Sequence, residues 1–441
     1  MTPGLKGLGE WLRARWDGPR QFQAFLDKPL PRNVSWLHTL GSLLLFYLVL
    51  QAITGVLLGL YYSGSPDQAY ASVHYIRNEL RFGALVHSLH KHGAGFILVT
   101  AVLHLARSYF LAAYRRPREL VWWSGLLLVL VLALFAFTGQ LLPWDQRGYW
   151  ATVVGIRIAS STPLVADATE QLLTGGYGDI GATTLSRFLI LHVCVLPVAL
   201  FALVGLHLKL LQKSGSAGPL SGSPEPLHAF FPRQAFKDLI VSAGGALVLF
   251  LVAWFFPFGD SGPAAPDATG FVPRPEWYFY AHYELLRMLP AGLQGLGTWL
   301  LPGVVLGGLF ALPLIDRGED RAFGKRRLLT VLGLGVAIGA VGLTITGFVA
   351  EAHEEAPAVE SSDKTGSELF VQHKCIKCHT IDSNGGDKGP NLSHVASRLR
   401  PGYLKPWIRN PRKFKPDSEM PSFEGSEQEL AVLTAYLQSL K

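Results

Sequence analysis

Cysteine, methionine and charge are all scarce in this chain. Three cysteines occur in 441 residues, so no second Cys pair exists to complete a zinc site. Methionine also occurs three times, which makes one in a short polar segment conspicuous. Charged residues make up 16% against 49% hydrophobic, a balance too apolar for an ordinary soluble protein. The net charge of +7 comes without a basic stripe interleaved with aromatics, which argues against a nucleic-acid partner. No cleavable signal is expected, because the first apolar run starts late and is long enough to span a bilayer.

Long apolar runs are abundant. Seven, of roughly 20 residues or more, lie near 37–62, 84–110, 121–142, 186–211, 236–256, 297–315 and 328–350, and are expected to be transmembrane helices. Lys and Arg crowd the N-terminal arm and alternate loops (Arg115, Arg116 and Arg118; Lys209, Lys213, Arg233 and Lys237; Arg317, Arg321 and Lys325 to Arg327). That asymmetry predicts a cytoplasmic N-terminus and an outer C-terminus. Residues 1–35 read as a basic, Trp-containing interfacial segment, with Trp11 and Trp16. A four-span module over 36–213 and a three-span module over 214–350 are separated by the Gly/Ser/Pro stretch Ser214 to Pro226. A polar linker, 351–364, leads to a soluble tail, 365–441.

Four histidines sit inside the apolar runs as two pairs: His90 and His104, fourteen residues apart, and His192 and His207, fifteen apart. At about 100° per residue these steps return to within roughly 40° and 60° of the starting direction, so each pair shares one helix face. A rise of about 1.5 Å per residue separates the members by roughly 21–23 Å, most of a ~30 Å hydrocarbon core. Two such helices face to face would clamp one flat iron porphyrin near each membrane surface. The competing reading is pore-facing histidines of a proton relay.

Cys194 lies in an apolar run and is expected to be a small buried core residue. The other two cysteines form Cys375-Ile-Lys-Cys378-His379, the spacing at which two thiols bond porphyrin vinyl groups and the histidine takes one axial position. A disulfide or half a zinc site are the competing readings. Met420 is the one methionine of the tail and a candidate sixth ligand, with core filling as the alternative.

The membrane part resembles cytochrome b of the quinol-oxidising cytochrome bc complexes. The resemblance rests on Leu-Gln51-Ala-Ile-Thr-Gly55, the His90/His104 run with Gly93 and Arg107, Leu142-Pro143-Trp144-Asp145-Gln146, Thr184-Leu-Ser-Arg187-Phe, Pro197 and Pro275-Glu276-Trp277-Tyr278. The tail resembles a small class I cytochrome c. The implied fold is all-α: a polytopic bundle of seven helices, the first four binding two b haems, plus a small soluble helical domain. The fifteen-residue step, the run to Trp150, the Gly215 to Pro219 stretch and the seven spans resemble the photosynthetic form. That form has an extra haem bonded to a cysteine where this chain has Thr39, and it lacks a fused cytochrome c. Lys237-Asp238 instead resembles the mitochondrial quinone-reducing site, and His87 stands where the family usually has an arginine near a haem propionate. An imidazole pairs less strongly there than an arginine fork. Lys91 and His92 are the candidates to compensate, and an interfacial polar role for His87 is the alternative.

The resemblance implies quinol oxidation on the outer face of a bacterial cytoplasmic membrane, in a homodimeric complex coupled to proton translocation. His90 and His192 would hold the outer b haem, His104 and His207 the inner one, and Cys375, Cys378, His379 and Met420 the c haem. One electron would go to a separate Rieske iron-sulfur protein, since that cluster needs two Cys and two His and every cysteine here is either in the c-type motif or, as Cys194, isolated. It would pass on to the fused c haem and then to a cytochrome or oxidase. The other would cross the membrane and reduce quinone near Lys237 and Asp238. In the quinol site Pro275 and Trp277 would form walls, Tyr278 a wall or donor, and Glu276 the proton acceptor. An apolar loop disfavours the charged form of that acid by desolvation, which suits the task. An exposed acid in an interfacial Trp/Tyr belt is the other reading. The rival functions are a dihaem anchor serving a soluble dehydrogenase without bifurcation, and a transporter with intramembrane histidines.

Overall fold

In the computed structural model the described residues are 11, 23–24, 26–31, 34–161, 166–175, 180–217, 227–259, 261–264, 274–318, 320–353, 366–382, 384–398, 403–415 and 418–440. Most of the 1–35 segment, the 351–364 linker and the stretch after Ala217 lie outside them. Two compact units form, Met1–Asp260 with Pro273–Gly347, and Ser261–Val272 with Phe348–Lys441.

Among the described residues, seven helices are long and apolar enough to cross a membrane, Trp36–Gly59, Gly83–Phe110, Glu119–Leu141, Ala182–Ser214, Arg233–Phe255, Leu296–Ile315 and Phe323–Glu351. They include α1 (Leu40–Gly59), α3 (Gly83–Phe110), α4 (Glu119–Leu141), α7 (Ala182–Ile190) running on into α8 (Leu196–Ser214), α9 (Arg233–Phe255), α11 (Leu301–Ile315) and α12 (Arg327–His353). Shorter helices lie between them: α2 (Ala69–Asn78), α5 (Gln146–Ser160), α6 (Ala166–Thr174) and α10 (Tyr280–Met288). Helix α1 packs along α3, α4 along α8, and α9 against both α1 and α3. Tyr47, Ile97, Ala101, Leu132, Leu200 and Leu249 fill the centre of that bundle. Most remaining apolar side chains face outwards, among them Val49, Val198, Leu251 and Ile338. In water that exposure would be costly, and in hydrocarbon it costs nothing.

The fourth span is not a regular α-helix. Leu191–Val195 form a π turn between α7 and α8. Pro197 follows directly; it has no N–H for the Val193 carbonyl and its ring crowds that oxygen, so the preceding turn widens. The sixth span repeats the device with a π turn at Leu296–Leu300 ahead of Pro302. A π turn takes up one additional residue, so the fifteen-residue step from His192 to His207 covers the same turns of helix as the fourteen-residue step from His90 to His104. The expectation of a buried Cys194 is corrected, since the residue is exposed. A helix in lipid can present a small soft side chain outwards without penalty, so apolar surroundings in sequence do not mean the protein core.

At one end of the bundle Asp316, after α11, accepts from Tyr114, Arg115 and Arg326. Burial alone would raise this carboxyl, but the three donors outweigh it and hold it below the usual carboxylate range. The strand β1 (Pro29–Pro31) pairs antiparallel with β2 (Leu227–Ala229), Leu30 opposite His228.

The second unit contains α13 (Gly366–Gln372), the hairpin β3 (Thr380–Ile381) and β4 (Asn384–Gly385), α14 (Val395–Arg398), α15 (Leu404–Arg409), α16 (Pro411–Phe414) and α17 (Glu427–Ser439). Ser426 and Glu429 close a capping box at the start of α17. Leu369, Phe370, Val395, Ile408, Leu430 and Leu433 form its core, with Cys375, Ile376 and Met420 packed against it.

Candidate functional site

The His90 and His192 rings face one another from α3 and the π turn, with centroids 6.4 Å apart. Two metal–imidazole bonds of about 2 Å, plus roughly 1.2 Å from each nitrogen to its ring centre, span about that distance. The gap therefore fits an iron held between them. Each ring lies on a glycine of a neighbouring helix. A Cβ at Gly55 would lie 3.1 Å from His90 Cε1, and one at Gly139 2.7 Å from His192 Cε1. The second pair repeats this, with His104 on Gly41 and His207 on Gly125, each 3.4 Å from the hypothetical Cβ.

Hydroxyls orient three of the four rings. Thr54 Oγ1 is 3.0 Å from His90 Nδ1, Thr138 Oγ1 3.1 Å from His192 Nδ1 and Ser124 Oγ 2.9 Å from His207 Nδ1. Each hydroxyl donates its own proton to a backbone carbonyl, of Leu50, Leu134 or Val121. Each therefore accepts from Nδ1–H and leaves the Nε2 lone pair for a metal, the arrangement that fixes tautomer and ring plane at metal sites. His104 Nδ1 has no hydrogen-bond partner among the described residues; Leu40 precedes Gly41, where the other three glycines follow a hydroxyl residue.

Sequence reasoning missed these seven supporting residues as a set. One signal was available: Gly41 and Gly55, and Gly125 and Gly139, are each fourteen apart, the same step as the first histidine pair. Arg107, one turn beyond His104, has buried Nε and Nη2 atoms with no partner among the described residues. That orphaned guanidinium suits a porphyrin carboxylate. Gln51 donates from Nε2 to the His90 carbonyl at 2.9 Å and locks α1 onto α3.

In the loop before α10, Glu276 is 7% exposed and lies 3.3 Å from Lys91 Nζ, next in sequence to His90. Trp277 lies on Gly95, where a Cβ would be 3.0 Å from the indole. Tyr278 packs edge-on against Trp277 and Phe279. Burial, with the Glu276 charge adding to it, pushes the Tyr278 hydroxyl above its ordinary value, so it stays a protonated donor. Pro275 and Arg274 line a small hollow with Ala151 and Val154 of α5. Asp145 caps α5 through Gly148 N at 2.7 Å, after Trp144 in the left-handed region, φ 51°.

Lys237 and Asp238 share the first turns of α9. Lys237 donates to the Val34 carbonyl at 3.1 Å and lies over Trp36, and Asp238 accepts from Gln234 at 2.8 Å. Thr39 is buried and bonds the Trp36 carbonyl, so no thiol stands there. His87 is buried, and its Nδ1 has no partner among the described residues.

In the second unit Cys375–Lys377 form one tight turn that presents Cys375, Cys378 and His379 together. Both thiols are free. His379 Nδ1 donates to the Pro390 carbonyl at 2.9 Å, which leaves Nε2 for a metal. Gly389 lies under this ring as the other glycines do in the bundle, with a Cβ 2.5 Å from Cε1.

Together these features define a membrane haem protein with a covalent-haem domain at its end. Residues 25–215 match the family Cytochrome b/b6/petB, 263–360 match Cytochrome b(C-terminal)/b6/petD, and 364–441 match Cytochrome c. The chain belongs to the cytochrome b family, with a C-terminal cytochrome c domain. It is 32% identical to cytochrome b of Mycosarcoma maydis over 76% of this chain and 85% of that one. It is 37% identical to the menaquinol:cytochrome c reductase cytochrome b subunit of Bacillus subtilis over 49% of this chain and all of that one. A solved structure titled Hyperthermophilic respiratory Complex III is similar at TM-score 0.69 and 30% identity, covering 77% of this chain and 91% of that one.

Proposed function

We propose that this chain is the electron-carrying membrane subunit of a quinol:cytochrome c oxidoreductase, or of one with a related acceptor, that oxidises quinol on the outer face. The reading rests above all on the Glu276–Lys91 pair, which ties the acid-bearing loop to the end of α3 that carries His90. His90 with His192 would hold the outer b haem, and His104 with His207 the inner one. Cys375 and Cys378 would attach the c haem, with His379 and Met420 axial. The bound haems supply one-electron transfer. The chain itself sets ring orientation through Thr54, Thr138 and Ser124, and excludes water with the packed bundle.

Quinol oxidation releases two protons as well as two electrons. Glu276 takes one proton from a quinol seated between Pro275 and Trp277, with the Tyr278 hydroxyl as donor or wall. Lys237 and Asp238 would serve quinone reduction at the other surface. The proposed partners are a Rieske iron-sulfur protein, the quinone pool, a cytochrome or oxidase, and a second copy in a dimer. The domain division proposed is 36–213, 214–350 and 365–441. The setting is a bacterial cytoplasmic membrane, with the N-terminus cytoplasmic and the cytochrome c domain outside.

Glu276→Gln in the assembled complex tests the reading, because it keeps the shape and removes the acceptor. Quinol oxidation should fall by about 10²- to 10⁴-fold with normal b and c spectra. Parental turnover at every pH would return Glu276 to an interfacial role.

A further inference from the structure

The sequence offers Lys91 only as a candidate to compensate for His87 beside a haem propionate, whereas in the structure its partner is Glu276. We propose that Lys91 is a positioning residue for quinol oxidation, holding the Glu276 carboxylate on its ammonium next to a solvent-open pocket that Lys91 itself lines, towards which the proton leaves. This deepens the function proposed above and rests on it.

The ammonium is itself held in place. Phe258 N donates to Ser88 Oγ at 3.1 Å, Arg77 donates to the Phe258 carbonyl at 2.7 Å, and His92 Nε2 lies 2.8 Å from the Phe256 carbonyl. These bonds fasten the segment after α9 onto α2 and α3. They put the Phe258 ring 4.6 Å from Lys91 Nζ, a cation–π contact that restricts a long, flexible side chain. Glu276 Oε1 then takes the open side of the ammonium at 3.3 Å. Both partners are largely out of water, with side chains 19% and 8% exposed. A carboxylate so buried needs a counter-charge to remain there.

Lys91 also lines a small pocket, open to solvent, with Tyr70, His74, Arg77, His87 and Asp145. Lys91 therefore stands between the buried carboxylate and a polar opening. A proton moves from the quinol hydroxyl to Glu276 and then to water in this pocket; the two electrons leave by the routes already given. Without the ammonium, Glu276 has no reason to keep this orientation, and misplacement of a reacting group by about 1 Å can cost 10²-fold in rate.

The experiment compares Lys91→Met and Lys91→Arg in the assembled complex, each with Glu276 and with Glu276→Gln, reading kcat and KM for quinol and the b-haem spectra. Lys91→Met should lower kcat by about tenfold or more with little change in KM, and Lys91→Arg should recover most of the loss. In the Glu276→Gln background, Lys91→Met should add nothing, as expected of residues acting through one another. Phe258→Leu, which leaves the charge intact but removes the ring beneath it, should cause a smaller loss that also vanishes with Glu276→Gln. It serves as the test if Lys91→Met loses haem. A slow Glu276→Gln beside a parental Lys91→Met overturns the positioning role alone. Losses that multiply in the double variant overturn it as well, because Lys91 would then act elsewhere. A parental Glu276→Gln overturns the proton-acceptor reading itself.

Discussion

Alanine at Gly139 is the sharpest probe of how the bundle would grip the haem proposed between His90 and His192. The added Cβ would lie 2.7 Å from Cε1, 3.3 Å from Nδ1 and 3.4 Å from Nε2 of His192. Non-bonded carbons rest at about 3.5–4.0 Å, so the ring or α4 must give by about 1 Å. The ring is also held by Thr138 and sits in the π turn, so it has little freedom to yield. Overpacking of this kind costs about 1–3 kcal/mol, which is roughly 5- to 150-fold in the population of correctly seated histidine. The other glycines form a graded series: 3.1 Å at Gly55, and 3.4 Å at both Gly41 and Gly125. At the last two, the preference of a helix for Ala over Gly, about 1 kcal/mol, offsets the crowding. A pyridine haemochrome assay on the purified complex, with the covalent c haem as internal standard, reads the result. From the proposed two b haems per c haem, Gly139→Ala should fall towards one, or keep both with a shifted midpoint of the haem proposed at His192, while Gly41→Ala and Gly125→Ala stay parental. Full b content with unshifted midpoints in Gly139→Ala would refute the crowding argument, as would an equal loss in Gly41→Ala.

Met420→His should lower the c-haem potential and leave both b haems unchanged, because a nitrogen ligand replaces the thioether; survival of the midpoint and of the far-red sulfur-to-iron band in Met420→Ala would assign the ligand elsewhere. Cys375→Ala with Cys378→Ala should abolish haem staining of the denatured band, and any staining left would reveal another attachment. Asp316→Asn leaves Arg115 and Arg326 without their anion, and with the Arg326 side chain 2% exposed the loss should be about 3 kcal/mol, seen as a lower Tm. The carboxyl of Asp316 is held below its unfolded value of about 3.9, so its stabilisation is present above that pH and is lost as pH falls through the lower folded value. The parental protein should therefore lose stability in that acid window while Asp316→Asn does not, and parallel curves would show that Asp316 has no such role.

Periodicity and spacing make much of this protein legible in its sequence. Seven apolar runs, the fourteen- and fifteen-residue histidine steps and the Cys-x-x-Cys-His turn are local patterns, and a helix or a tight turn converts each directly into geometry. Among the described residues the runs appear as seven membrane-length helices, and a tight turn at Cys375–Lys377 leads through Cys378 into His379. Between-helix pairings are not legible in the same way. Thr138 meets His192 across 54 residues of chain, Ser124 meets His207 across 83, and Lys91 meets Glu276 across 185; no local period reports such distances. The expectation for Cys194 fails for a related reason, since apolar surroundings in sequence cannot distinguish the lipid from the core, and the residue is exposed. The sequence by itself therefore determined the helices, their apolar character and which residues are candidates for metal-binding chemistry. Only the tertiary structure decided which glycine each imidazole rests on, which hydroxyl sets its tautomer and which cation holds the buried acid, because those depend on how separate helices pack side by side.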